Sequence, residues 1–345
     1  MKFNKFCISS FLTFRYVVEK NKGWTDKIIP TFSQSSNTDK LKVKTTEDIL
    51  NILTKIMKGY SKEDTGILLS SGIDSAILGK LLPKKTKAYT VRFVAKEAVN
   101  ELDGARQIAE HNRLDHTVID ITWEDYLKHC DFLMKNKKSP LHPVEVPLYV
   151  ASLQAKKDGI TNLVTGDCAD VTFGGFDKLL SKTWIFNEFI ERYTFVNPQL
   201  VVNNPVSMVY KFKEYKIDDG IDLMKFLKIV HGNGLIQSFT SSINLAGCEI
   251  VAPYENLLLD VKLDFDRIRK GESKYLLKEV FRKLYPNIQV PPKIAFARPM
   301  GEWMKFYKGP SREEFIPNLD MKKFTGEQKW LIYCLERFMN LMENE

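Results

Sequence analysis

Three things are missing from this chain of 345 residues, and each absence removes a class of function. There is no C-x-x-C pair: Cys7, Cys130, Cys168, Cys248 and Cys334 stand far apart. That argues against a zinc site, a dithiol redox centre and a sulfur-transfer centre. Five scattered thiols are also unlike a disulfide scaffold, so reduced cysteines are expected. No apolar run approaches the ~20 residues that a membrane-spanning helix needs. The opening "MKFNKFCISSFLTFRYVV" is interrupted by Arg15 and lacks the small-residue cleavage site of a signal peptide. The expected location is the cytoplasm, with no membrane partner. Finally, the chain has no G-x-x-x-x-G-K-S/T, so any phosphate site must be built without a Walker loop.

What is present is ordinary for a soluble globular enzyme: 44% hydrophobic and 27% charged residues. The length suits two or three domains, or one large domain with embellishments. The net charge of +8 comes from basic residues spread along the chain, with only short clusters such as "KNKK" at 135–138. Solvated lysine faces account for that pattern, and no nucleic-acid partner is expected.

Residues 1–45 mix aromatic and polar stretches and include "TFSQSSNTDK" (31–40), which reads as a linker. From Thr46 the pattern changes. "TEDILNILTKIMKGY" has apolar residues at helical spacing behind a threonine cap. A strand at Thr65–Leu69, a short loop and a helix from about Ser75 come next. "KAYTVRF", "DHTVIDI" and "TNLVTG" read as further strands, separated by the helical stretches "VNELDGARQIAEHN", "TWEDYLKHCDFLMKN" and "EVPLYVASLQAKKDG". Strands alternating with helices predict a parallel sheet with crossover helices, whose ligands bind at the carboxyl ends of the strands. Beyond Phe176 the chain turns mostly helical, with irregular stretches and no internal repeat.

The loop "LSSGIDS" at the end of the first strand raises a chemical question. A phosphate loop needs converging N–H groups and a helix N-terminus behind them. Gly72 lets the backbone approach closely, and Ser70, Ser71 and Ser75 can add hydroxyl donors. Asp74 beside phosphates makes sense only with a bridging cation, and a hard carboxylate oxygen suits Mg²⁺. An ordinary capped strand–helix turn is the competing reading of the loop alone.

Three further stretches, read beside that loop, narrow the choice. "SSGIDS" resembles the S-G-G-x-D-S pyrophosphate loop of the ATP pyrophosphatases, with Ser71 in place of the second residue, usually glycine. "LVTGDCADVTFGGF" (163–176) resembles the "TGEGADELFGGY" segment of the asparagine synthetase family. "VAPYENLLLD" is similar to that family's "R-x-P-F-L-D" stretch. "KYLLKEVFRKLYPNIQVPPKIAFARPMGEW" follows its C-terminal pattern, with Lys274, Arg282, Lys293, Phe296, Pro299 and Trp303 in order. The resemblance runs from about residue 10 to about residue 305.

The resemblance implies an α/β fold: a parallel twisted sheet with helices on both faces, adenine nucleotide alpha hydrolase-like, with a mostly helical C-terminal part. Residues 1–45 would be a connector-like extension. Residues 46–345 would form the synthetase domain, with its α/β core at about 46–180 and a helical remainder at 181–345. It implies ATP as co-substrate and Mg²⁺ as cofactor. Ser70, Ser71, Gly72 and Ser75 would cradle the pyrophosphate, and Asp74 and Asp170 would hold the metal. Leu68, Val91 and Gly166 would line the adenine and ribose side. Lys293 would contact the phosphates during transfer, and Asp167 stands where the family has a glutamate that handles the attacking amine.

The implied reaction is ATP-dependent amide formation. A small carboxylate is adenylated with release of pyrophosphate, and ammonia or an amine then displaces AMP. This chain departs from the pattern at Asp167, at Val171, where a second acid usually follows, and at Asn256, where an aspartate stands. Those changes bear on the acceptor more than on ATP. Position two is Lys rather than the Cys of a glutaminase domain, so a stand-alone synthetase is expected. Its ammonia would come from solution, from a separate glutaminase subunit or from the substrate itself, and a homo-oligomer is compatible with the family. Intramolecular closure to a lactam is the alternative within the class. A pyrophosphate-loop enzyme acting on tRNA would suit the pI near 9.0, but it lacks the paired cysteines of the sulfur-transfer types. A non-catalytic scaffold is a third class, against which Asp74, Asp170 and Lys293 are all in place.

Overall fold

The computed structural model describes residues 1–31, 40–99, 101–292 and 296–344. Lys293 and nearly all of the predicted linker lie outside the described residues. Five parallel strands make the central sheet: β1 (Thr65–Leu68), β2 (Lys87–Phe93), β3 (Asp115–Ile121), β4 (Asn162–Val164) and β5 (Glu249–Val251). β2 and β3 cover the stretches "KAYTVRF" and "DHTVIDI" that read as strands. β5 is a strand that sequence reasoning did not anticipate, because its three residues carry no periodic signal.

The helices that flank the sheet are α1 (Lys5–Phe14), α2 (Thr46–Lys58), α3 (Ile73–Leu81), α4 (Leu102–Asn112), α5 (Trp123–Lys137) and α6 (Glu145–Lys157). Successive residues of a strand point to opposite faces, and here both faces are apolar and covered. On one face Ala88 and Val164 join Leu53 of α2, Ala76 of α3 and Ile108 of α4. On the other, Tyr89 and Leu163 join Leu133 of α5 and Ala151 of α6. This two-sided burial explains why the strands read as short apolar runs between helical segments. Thr45 and Thr122 start α2 and α5 with reciprocal capping boxes to Asp48 and Asp125, which satisfy N–H groups that the first turn leaves unpaired.

The N-terminal stretch is part of the core. Phe11 of α1 meets Trp24 edge-on with ring centroids 6.4 Å apart, and Trp24 meets Phe338 at 5.0 Å. Leu41–Val43 pairs in parallel with Leu257–Leu259, tying this stretch to the segment after β5. Among the described residues no helix is long and apolar enough to cross a membrane.

The strand order β3-β2-β1-β4-β5 decides where a ligand can sit. The chain winds outward from β1 through β2 to β3, then returns to the other side of β1 with β4, whose Val164 lies beside Ile67. The winding direction therefore reverses between β1 and β4. In open parallel sheets the crevice opens at that reversal, beyond the carboxyl ends of the two strands. Both glycine-containing loops of the sequence leave from those two ends.

Candidate active site

β1 ends at Leu68 and α3 begins at Ile73, with "LSSG" between them. The loop is tied by its own hydroxyls. Ser75 Oγ accepts from the Ser70 N–H at 3.0 Å and lies 3.0 Å from Ser70 Oγ, which in turn accepts from the Gly72 N–H at 3.2 Å. Ser71 turns toward α4, where its hydroxyl donates to Glu101 at 3.0 Å. A Cβ on Gly104 would lie 2.7 Å from Ser71 Cβ, so α4 packs directly behind the loop. Burial raises the Glu101 carboxyl, opposed by the Ser71 hydroxyl and N–H. Gly72 caps α3 without a side-chain hydrogen bond. The first N–H groups of α3 therefore have no partner within the helix, which is the usual makings of an anion site.

β4 brings the second loop against the first. A Cβ on Gly166 would sit 3.1 Å from Asp74 Cβ and 3.2 Å from the Ser75 nitrogen. The chain then forms α7 (Ala169–Phe173), which carries Asp170. Lys274, buried at the head of α8 (Tyr275–Leu284), joins the two acids: its Nζ lies 2.6 Å from Asp74 Oδ2 and 3.0 Å from Asp170 Oδ1. Burial pulls this ammonium down, but the two carboxylates outweigh it and hold the pKa above the ordinary lysine value. Gly175 makes room for the arrangement, since a Cβ there would land 1.7 Å from Asp170 Oδ1. Gly174 closes α7 with a φ of +73°, a left-handed conformation that favours glycine. Two tyrosines pin the start of α3: Tyr254 donates to the Asp74 carbonyl at 2.9 Å and Tyr285 to the Ala76 carbonyl at 2.6 Å.

Two carboxylate oxygens converging on one ammonium are a donor set that also fits Mg²⁺. That ion takes one or two carboxylates and completes its shell with water and phosphate oxygens. No group of three or more His, Cys, Asp or Glu gathers as a metal cage among the described residues. Asp74 and Asp170 therefore suit a metal shared with a nucleotide rather than one enclosed by protein.

Asp167 differs from its neighbours. It is half-buried, and its Oδ2 is sealed from solvent with no hydrogen-bond partner among the described residues. Burial pushes its carboxyl up to about 7, the Cys168 N–H opposes this, and the nearby charges of Glu255 and Asp170 add to it. Cys168 follows with a φ of 67°. The family pattern has glycine at this point, and the left-handed backbone gives the reason. Burial raises the Cys168 thiol well above its usual value, so it is a poor nucleophile.

The crevice thus gathers Ser70, Gly72, Asp74, Ser75, Gly166, Asp167 and Asp170 at adjoining loops. Ser71 belongs to the back of the loop rather than to its mouth. Leu68 and Val91, on adjacent strands, both pack against the α5–α6 side of the sheet. Lys293 lies outside the described residues. Sequence reasoning missed the roles of Lys274 and Tyr254. Lys274 was visible in the C-terminal motif, but only the fold carries it across 200 positions to Asp74.

Residues 57–220 match the family model described as asparagine synthase. That span includes both glycine-containing loops and ends before Lys274. That stretch, just under half of the chain, is therefore similar to the asparagine synthase family. A curated relative, "Putative asparagine synthetase (glutamine-hydrolyzing) 1" of Methanocaldococcus jannaschii, is 27% identical over 131 residues. The match takes in 37% of this chain and 24% of that relative, so the chain spans about a quarter of the relative's length. Among solved structures, an NMN synthetase from Francisella tularensis covers 72% of this chain and 97% of its own, with 13% identity and a TM-score of 0.27. An NH3-dependent NAD synthetase from Campylobacter jejuni covers the same shares, 72% and 97%, with 14% identity and a TM-score of 0.25.

Proposed function

We propose that this protein is an AMP-forming carbon–nitrogen ligase that adenylates a small carboxylate and passes it to ammonia or an amine. The observation that carries the reading is the Asp74–Lys274–Asp170 cluster, at 2.6 and 3.0 Å, in the crevice between β1 and β4. The nucleotide's phosphates would lie over the loop at 70–75, against the first N–H groups of α3. A carboxylate oxygen of the acceptor attacks the α-phosphorus of ATP, and the bond to the β-phosphate breaks. Negative charge then gathers on the departing pyrophosphate. Lys274 stands ready to neutralise it, as would Lys293, the residue that the family resemblance assigns to the phosphates. Asp74 and Asp170 would hold Mg²⁺, which would supply further charge neutralisation when bound. Pre-positioned cations matter here because they need no reorganisation as the charge moves.

The acyl adenylate is a mixed anhydride with a good leaving group, so an amine can attack its carbonyl and expel AMP. The amine must give up a proton in that step. Asp167 is suited to take it: a carboxyl titrating near 7 is basic enough to accept a proton and still ionised in part at neutral pH. ATP–pyrophosphate exchange against a panel of carboxylates tests the reading. Exchange that requires one carboxylate supports it, and no exchange with any member, in protein shown to be folded, counts against it.

A further inference from the structure

α7 sends Asp170 toward Lys274 and, one residue later, Val171 into a groove of about 860 Å³. That size falls within the ~300–1,000 Å³ of small-molecule sites. The walls come from three stretches of chain far apart in sequence: 180–184, 217–228 and 257–269. Leu180, Trp184, Leu223, Met224 and Leu258 make them apolar. Ile217 and Val261, also in the lining, are 54% and 40% exposed, an unusual amount of bare aliphatic surface in one place. Val171 fits this environment, and it stands where the family pattern would place an acid.

The charges around the groove are one-sided. Lys182, Lys225, Lys228, Lys262 and Arg269 line it, against a single acid, Asp222. Asp222 already accepts from the Lys225 N–H at 3.1 Å as a helix cap. Lys182 is engaged by Glu188, and Arg269 donates to Thr183. Lys225, Lys228 and Lys262 meet no carboxylate among the described residues. Lys228 is half-buried, and burial together with Lys40 pulls its pKa below the usual lysine value. A partly desolvated cation beside an apolar wall is costly unless an anion joins it.

We propose that this groove binds an amphipathic anion, a straight-chain acyl carboxylate, with the chain along the apolar wall and the carboxylate at Lys228. Two sources share that chemistry: an acyl carboxylate that is itself the acceptor, and one that acts as an effector through α7. The acceptor source rests on the proposed reaction, whereas binding itself needs no nucleotide and is tested without one.

The test is titration of the full chain with dodecanoate in the absence of ATP, by calorimetry and by tryptophan fluorescence, to which Trp184 contributes. Saturable one-to-one binding is expected. Lengthening decanoate to dodecanoate should tighten it about tenfold, from the burial of two methylenes. Dodecyltrimethylammonium should bind at least tenfold more weakly than dodecanoate. Ile217→Glu and Val261→Glu place a charge at exposed positions of the lining and should each weaken dodecanoate about tenfold or more. Lys228→Gln should weaken dodecanoate while leaving dodecanol unchanged. Absence of saturable binding, equal affinity for the cationic chain, or unchanged affinity in both glutamate variants would overturn the proposal. Adding dodecanoate to ATP–pyrophosphate exchange then separates the two sources. Exchange that depends on dodecanoate alone marks it as the acceptor, and altered exchange with another carboxylate marks it as an effector. Intact dodecanoate binding with no exchange under any condition would remove the ligase reading and leave the groove standing.

Discussion

Replacing Asp167 by asparagine keeps the shape of the side chain and removes one titrating carboxyl, so its effect on stability must depend on pH. In the folded protein this carboxyl titrates at about 7, against an ordinary aspartate value of 3.8. Between those two values the folded state binds more protons than the unfolded chain, so stability falls as pH rises. At about 1.4 kcal/mol per pH unit, the loss approaches about 4 kcal/mol above pH 7. Asp167 is only half-buried, and water screens part of that cost. A change on the order of 2 kcal/mol between pH 5 and pH 8 is therefore expected. Asparagine carries no such term. In urea titrations across that range, the unfolding free energy of Asp167→Asn relative to wild type should shift in the variant's favour by about 2 kcal/mol as pH rises. A difference constant within about 0.5 kcal/mol would mean that Asp167 ionises like an exposed carboxyl, and its role as proton acceptor would fall with it. The same variant has a kinetic signature. With an amine nucleophile that is neutral throughout the range, wild-type turnover should climb with a midpoint near 7, while Asp167→Asn stays low and flat.

Other perturbations address the remaining parts of the site. Lys274→Met should lower ATP–pyrophosphate exchange by about 10²–10³, the scale of one lost electrostatic donor; a change confined to the apparent affinity for ATP would refute the transition-state role. Gly175→Ala drives a methyl group to within 1.7 Å of Asp170 Oδ1. It should displace that carboxylate, costing about 1–3 kcal/mol and most of the activity, and an unchanged melting temperature with unchanged turnover would contradict the geometry. Asp74→Asn should abolish pyrophosphate release with the fold intact, and wild-type turnover at limiting Mg²⁺ would count against its metal role. Ammonium should support amide formation by the purified chain, and glutamine should not, because all five cysteines are buried and the Cys168 thiol is held protonated. Glutamine hydrolysis that stops on alkylation of Cys7 or Cys168 would reveal a glutaminase that this reading denies.

Much of the fold was legible because its signals are local. β2 and β3 are seven-residue strands rich in β-branched and aromatic residues, and α2 and α5 carry threonine caps. Pattern therefore pointed to a parallel sheet without any knowledge of packing. The two loops were legible for a similar reason: glycine, serine and aspartate between an apolar strand and a helix are an unusual combination. β5 and the Leu41–Val43 pairing with Leu257–Leu259 were not legible. Three-residue strands exist only because a neighbouring backbone offers hydrogen bonds, and that partner is distant in sequence. The site divides along the same line. Residue type nominated Asp74, and the family resemblance nominated Asp167 and Asp170. Only the reversal of winding between β1 and β4 placed their loops in contact. Only the return of the chain at α8 set Lys274 between Asp74 and Asp170. The raised carboxyl of Asp167 has the same origin, since burial and the approach of Glu255 and Asp170 are properties of packing and have no counterpart in the order of residues.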